Sequence, residues 1–241
     1  MALNPRYQAQ GRTVDRAYSA EIDAGLRAYM LRVYNYMAMG VALTGIVAYA
    51  VALNPQLMET IALSGFKWVL FAGILGLGWF SGRIIFSASP AVAHGAYWLY
   101  AAMWGALISP MIYIYTGESI ARVFVITAAA FAGTSLYGYT TKRDLSTMGR
   151  FLAMSTIGIL IAVLLNAFVF ESGGFHMILS IVVVLVFAGL TAYETQAIKE
   201  MYVSGEGDEM ASRKSIFGAF MLYGTFVTMF VWLLSIFGSR E

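Results

Sequence analysis

Seven stretches of nearly uninterrupted apolar residues divide the chain, at 30–53, 66–86, 92–115, 120–139, 151–170, 175–198 and 216–237. Each is close to the ~20 residues a helix needs to cross about 30 Å of hydrocarbon. The runs are continuous rather than alternating in polarity, which predicts helices and argues against a membrane β-barrel. The connections between them are short, so the helices should gather into one bundle. The pattern therefore predicts an all-α integral membrane protein, a seven-transmembrane-helix bundle at 30–238 preceded by a polar tail at 1–29.

Within the tail, Tyr18, Ile22, Leu26, Tyr29 and Val33 fall on one helical face while Arg16, Asp23 and Arg27 point elsewhere. This spacing predicts an interfacial helix leading into the first span. The tail has no apolar core of its own, and the run after it is too long for the core of a signal peptide, so no cleavage is expected.

Composition narrows the function classes. Hydrophobic residues make up 60% of the chain and charged residues 12%, against about 25% charged in a soluble domain. There is no cysteine, which removes disulfides, thiolate metal sites and thiol nucleophiles. The net charge is only +2, and the basic residues are dispersed in loops without a stripe of interleaved exposed aromatics, so nucleic acid is not an expected partner.

Loop charge sets the expected orientation. If the N-terminus is cytoplasmic, that side holds Arg6, Arg12, Arg16, Arg27, Arg32, Arg83, Lys142, Arg143, Arg150, Lys199, Arg213 and Lys214, and the other side only Lys67, Arg122 and Arg240. Excess Lys and Arg mark the cytoplasmic side. Seven spans then put the C-terminus in the periplasm and the protein in the inner membrane of a bacterium.

Small residues supply the expected helix contacts, notably Gly73, Gly76, Gly78 and Gly82 in the second span and the alanine-rich 128–133 in the fourth. Pro110 in the third span should leave the Ala106 carbonyl without its usual partner and bend the helix. In the last span, Thr225, Thr228 and Ser235 form a mild polar stripe that suits either a neighbouring helix or an aqueous path.

Conventional catalysis is poorly supplied. His94 and His176 fall near opposite membrane faces, which excludes a shared metal site, and no metalloprotease, nucleophile-elbow or phosphate-loop motif is present. No aspartate lies in any span, so two aspartates sharing an intramembrane site are excluded. The expectation is a protein that is not an enzyme. What remains is Glu194, an ionisable residue close to the inner end of the sixth span. Such a group costs roughly 2.5–3.5 kcal/mol at a helix centre and less toward the ends, and commonly faces a bundle interior. A carboxylate there is costly to charge unless a cation or hydrogen-bond donors hold it. Arg83, at the inner end of the second span, is expected to be its counter-ion, the pair plugging a polar cavity.

Three segments carry a resemblance. Residues 126–152 (ITAAAFAGTSLYGYTTKRDLSTMGRFL) resemble the central signature of the Bax inhibitor-1 family in its bacterial YccA-like branch. Residues 105–110 (GALISP) resemble its third-span motif, and 191–199 (TAYETQAIK) its sixth-span motif, usually written with Asp where this chain has Glu194. The likeness covers roughly 31–237. It implies a seven-helix bundle with a cytoplasmic N-terminus, and one of two functions. Members similar to this chain include a pH-sensitive calcium leak in which paired acids on the sixth and seventh spans bind a proton and gate a pore. Others are substrates and modulators of the membrane-anchored AAA protease. By this resemblance the pore acid falls on Glu194, the second acid on Thr225, which cannot ionise, and the latch arginine near Arg83. Glu194 with the hydroxyls of Thr191 and Thr225 would make a weak cation site, since calcium takes 6–8 oxygens. No resident cofactor is implied beyond calcium as a transported ion. For the protease reading, the tail at 1–28 would be the handle that is pulled.

Overall fold

The computed structural model describes the backbone of residues 5–87 and 89–240 and the side chains of 24–240 apart from those at 62 and 88. The elements are α1 (Pro5–Ala52), α2 (Pro55–Leu63), α3 (Phe66–Ser87), α4 (Pro90–Ile108), α5 (Met111–Ile114), α6 (Gly117–Thr140), α7 (Ser146–Leu165), α8 (Gly173–Glu200) and α9 (Asp208–Phe237), with a π-helical turn, Asn166–Phe170, closing α7. Seven segments among the described residues are long and apolar enough to cross a membrane: Ala24–Ala52, Phe66–Ser87, Pro90–Ile114, Gly117–Thr140, Ser146–Phe170, Gly173–Glu200 and Asp208–Phe237. They coincide with the seven apolar runs.

Polar caps set several of the boundaries. Thr116 accepts from Ser119 N at 3.2 Å to start α6, and Ser172 accepts from Phe175 N at 3.3 Å to start α8. Each satisfies one of the amides that a helix start leaves without a partner. The interfacial helix expected in the tail is the beginning of α1, which runs unbroken into the first span. The expected boundary between residues 29 and 30 thus falls inside a helix. The intervening sequence is rich in Ala, Leu and Arg and lacks proline, so nothing terminates the helix there. The predicted face at Tyr18 and Ile22 lies outside the described side chains.

Pro110 does more than bend the third span. The helix stops at Ile108 and resumes as the single turn α5. The Ala106 carbonyl is not left orphaned, because it receives Ser109 N at 3.3 Å and Ser109 Oγ at 2.7 Å.

The axial element is α9. Half of its most apolar window is buried, against 6% for α7 at the periphery, as expected of a helix that is apolar all round and enclosed by others. It packs against α1, α3, α4, α6 and α8. Tyr97 and Tyr100 of α4 gather around Phe220 and Tyr223 of α9, the Tyr100 and Phe220 rings stacked with centroids 4.2 Å apart. The Tyr223 hydroxyl meets Thr44 Oγ1 at 2.5 Å, tying α1 into the same layer. α8 is divided along its length: Ile178, Ile181, Val182 and Leu185 are exposed, whereas Thr191, Glu194, Thr195 and Gln196 are buried.

Candidate functional site in the polar segment of α8

The residues 191–199 form the last two and a half turns of α8, where the helix tucks between α6, α7 and α9. Close approach makes this possible. A Cβ at Gly138 of α6 would sit 2.8 Å from the Ala192 carbonyl carbon, and one at Gly149 of α7 would collide with the Tyr193 ring. Two helices therefore touch α8 backbone to backbone, or backbone to ring, on either side of Glu194. The second-span glycines are used unevenly: a Cβ at Gly73 would collide with Met103 and one at Gly82 would meet Phe217, but Gly76 faces open space.

Glu194 is 8% exposed and lies six residues before the end of α8, about 9 Å along the axis. It is interior rather than interfacial. Its carboxyl group accepts a side-chain hydrogen bond from Thr225 Oγ1 of α9 to Oε2 at 2.6 Å. Thr225 and Glu194 are thus brought together across the α8–α9 interface, where the family resemblance aligned them. Thr191 is buried beside them but its hydroxyl is directed to the Phe187 carbonyl at 2.9 Å. Thr228 and Ser235 likewise bond their own helix, so only Thr225 of that stripe crosses to a neighbour. No cation pairs with Glu194, and no second acid or histidine joins it, among the described residues.

The expected contact between Arg83 and Glu194 is not formed. Ser81 and Ile85 are on the buried face of α3, and Arg83, two residues from each, is turned to the exposed side. Another arginine holds this end of the bundle. Arg213 of α9, whose side chain is 11% exposed, donates to the Ile85 carbonyl at 2.7 Å and pairs with Glu209 at 2.9 Å. Beside it, Lys214 bridges Glu206 at 2.7 Å and the Met201 carbonyl at 3.0 Å, fastening the connection between α8 and α9. The Glu209–Arg213 spacing of four residues was the available signal for this cluster.

Gln196 is a second residue that the charge-based reading passed over. Its Oε1 accepts from Leu145 N at 2.8 Å and its Nε2 donates to the Arg143 carbonyl at 2.8 Å. One side chain thus pins the loop joining α6 to α7. Lys199 adds a bond to the Tyr139 carbonyl at 2.8 Å. On a neighbouring face of α8, Tyr34, Ser135 and Thr195 form a hydroxyl chain with steps of 2.7 and 2.9 Å, linking α1, α6 and α8. The histidines remain separate: His94 bonds Tyr36 and the Pro90 carbonyl, whereas His176 stacks on Trp232.

Two cavities open along the seam between α1 and α6. One, of about 410 Å³, lies in the half near the start of α6, between Gly45, Ile120, Phe124 and Phe230. The other, of about 540 Å³, lies toward Arg27 and Tyr139. Neither reaches Glu194, which is closed off beneath Thr225.

The buried acid, its hydroxyl partner and the three signature segments now stand in one bundle. The family described as inhibitor of apoptosis-promoting Bax1 matches residues 26–241. The chain belongs to the Bax inhibitor-1 family. It is 40% identical to the inner membrane protein YbhL of Escherichia coli K12, over 90% of this chain and 94% of that one. Protein RP147 of Rickettsia prowazekii is 39% identical over 91% of this chain and 92% of its own. A protein of Caulobacter vibrioides is 37% identical over 98% of both. With seven spans and an inner-membrane relative of nearly equal extent, this family member is a multi-pass inner-membrane protein.

Proposed function

We propose that the protein is a pH-influenced cation leak, with calcium as the transported ion, and that Glu194 is the carboxylate governing passage. The observation that supports this most directly is a buried acid with one hydroxyl donor and no cation partner among the described residues, at the meeting of α8 with the axial helix. Such a group has few structural uses and is expensive to retain. In the arrangement described, the Thr225 contact fills the space an ion would need. Loss of the Glu194 proton provides a negative charge that attracts a cation, and separation of α8 from α9 opens the way. One carboxylate and neighbouring hydroxyls hold calcium weakly, so water supplies the remaining ligands. Weak binding suits a leak, because an ion must also leave. The basic end is taken as cytoplasmic in this reading.

The test is calcium flux through purified protein in liposomes at pH 6 and pH 8. Flux should be greater at the higher pH, and Glu194→Gln should abolish the difference. Absence of flux from both proteins would end the proposal.

A second reading is a substrate or modulator of the membrane-anchored AAA protease. In its favour, α1 begins at Pro5, well before the first apolar run at residue 30, and Arg6, Arg12, Asp15, Arg16, Glu21 and Asp23 make the stretch ahead of that run costly to place in hydrocarbon. It offers the handle expected at 1–28. Removing residues 1–18 should lengthen the protein's half-life in cells and reduce co-purification with the protease; unchanged values would exclude this role.

A further inference from the structure

The seam between α1 and α6 exists because the two helices are held apart by their other partners: α1 packs on α4 and α9, and α6 on α8 and α9. In the half toward Arg27 its walls are Met30 and Leu31 on one side and Phe131, Ala132 and Leu136 on the other. Leu31 and Leu136 are exposed, so the cavity opens sideways at the depth of the bilayer rather than into the bundle. Its walls are mainly apolar, and what lies beside them in a membrane is lipid hydrocarbon.

The mouth of the cavity differs in chemistry. Arg27 lines it, is exposed, and has no ion-pair partner among the described residues. Tyr139 lines it from the other helix, with the Lys199 ammonium 5.4 Å from its ring centroid. Glu206, which approaches α1 near Tyr29, is already paired with Lys214. Arg27 and Tyr139 thus stand at the polar end of the slot, with Lys199 behind the tyrosine. Basic pockets between membrane helices recognise anionic lipid headgroups.

We propose that the Arg27 half of the α1–α6 seam is a binding site for one anionic phospholipid of the adjacent leaflet. Its phosphate sits against Arg27 at the Tyr139 end, and one acyl chain lies between Leu31 and Leu136. The chain covers Tyr34 and Ser135, which line the same cavity and begin the hydroxyl chain to Thr195. A bound lipid therefore seals the lateral approach to the segment that carries Glu194.

The test is native mass spectrometry of the full-length protein, released from detergent after equilibration with either phosphatidylglycerol or phosphatidylethanolamine. One phosphatidylglycerol should be retained in preference to phosphatidylethanolamine. Arg27→Gln should lower that retention about fivefold, the effect of one basic residue at a lipid surface. Ala132→Trp, or Ala132→Leu if the larger residue prevents folding, should remove the adduct by filling the slot. Equal retention of the two lipids by the unaltered protein would overturn the proposal without recourse to any variant. Retention unchanged by Arg27→Gln or by the slot-filling substitution would overturn it as well, and so would a dimer mass in place of the lipid adduct, which would assign the seam to a second copy of the chain.

Discussion

Gly138 of α6 faces the Ala192 carbonyl of α8 so closely that there is no room for a methyl group between the two helices. This contact lies two residues from Glu194 along α8, so the spacing of α6 and α8 sets where the acid stands. Gly138→Ala must push the backbones apart, and over-packing of this kind costs about 1–3 kcal/mol. Gly133, one and a half turns earlier on the same helix, meets nothing within 4 Å. Gly133→Ala should therefore stabilise the helix by up to ~1 kcal/mol through propensity alone. Thermal unfolding in one detergent should move in opposite directions for the two variants.

The Thr225–Glu194 bond should control the leak more than it controls stability. Thr225→Val removes the donor at nearly constant volume and leaves a buried carboxylate without its hydrogen bond, at a cost of about 1.5–3 kcal/mol if the acid stays charged. Flux should then lose its difference between pH 6 and pH 8, while Thr228→Val, whose hydroxyl bonds only the Gly224 carbonyl, should leave it intact.

Other ionisable groups must be distinguished from Glu194 as the source of a pH difference in flux. His94 and His176 are tied to Tyr36 and Trp232, away from the acid. Asp144, outside the spans, is held below the usual carboxylate range by its hydrogen bonds with Ser146. A depressed carboxylate contributes stability above its unfolded pKa and loses it only as the pH falls through the lower folded value. It therefore does not change charge between pH 6 and pH 8. His94→Gln, His176→Gln and Asp144→Asn should each preserve the pH difference in flux that Glu194→Gln removes.

The seven spans were legible because uninterrupted apolar runs of this length have few other physical uses. The start of the last helix was not. The expected run began at 216, whereas α9 begins at Asp208, because its first two turns carry acids followed by Arg213 and Lys214. Charges so arranged complement the helix dipole and pair at one-turn spacing, which makes helix out of what hydropathy alone reads as loop. The cost of intramembrane charge singled out Glu194, and the family likeness placed Thr225 opposite it as the position of a second acid, but the hydrogen bond between them was visible only in the structure. Gln196 escaped notice because an uncharged amide carries no such cost signal, and its importance depends on which backbone groups fold over it.

That dependence is itself measurable. Gln196→Leu keeps the volume but leaves Leu145 N–H and the Arg143 carbonyl without the partners they now have. Each stranded buried group costs about 1–3 kcal/mol, less where water reaches it. The loop from Thr141 to Leu145 should become more open to protease and exchange its amides faster, with the remaining spans unaffected. Protection equal to that of the unaltered protein would show that Lys199 and the caps suffice.

The two arginines at the basic end differ in what they hold. Arg83 is exposed and makes no ion pair among the described residues, so Arg83→Ala should change the unfolding temperature little, as surface substitutions generally stay within about 0.5 kcal/mol, and should leave flux unchanged at both pH values. Arg213→Ala removes the donor to the Ile85 carbonyl and the partner of Glu209, loosening α3 from α9 at the end where Lys214 also fastens the α8–α9 connection. Its basal flux should rise, because α9 is then freer to move away from Glu194. Measured side by side in liposomes, a rise with Arg83→Ala and none with Arg213→Ala would restore Arg83 as the latch and require a rearrangement of α3 that turns its exposed face inward.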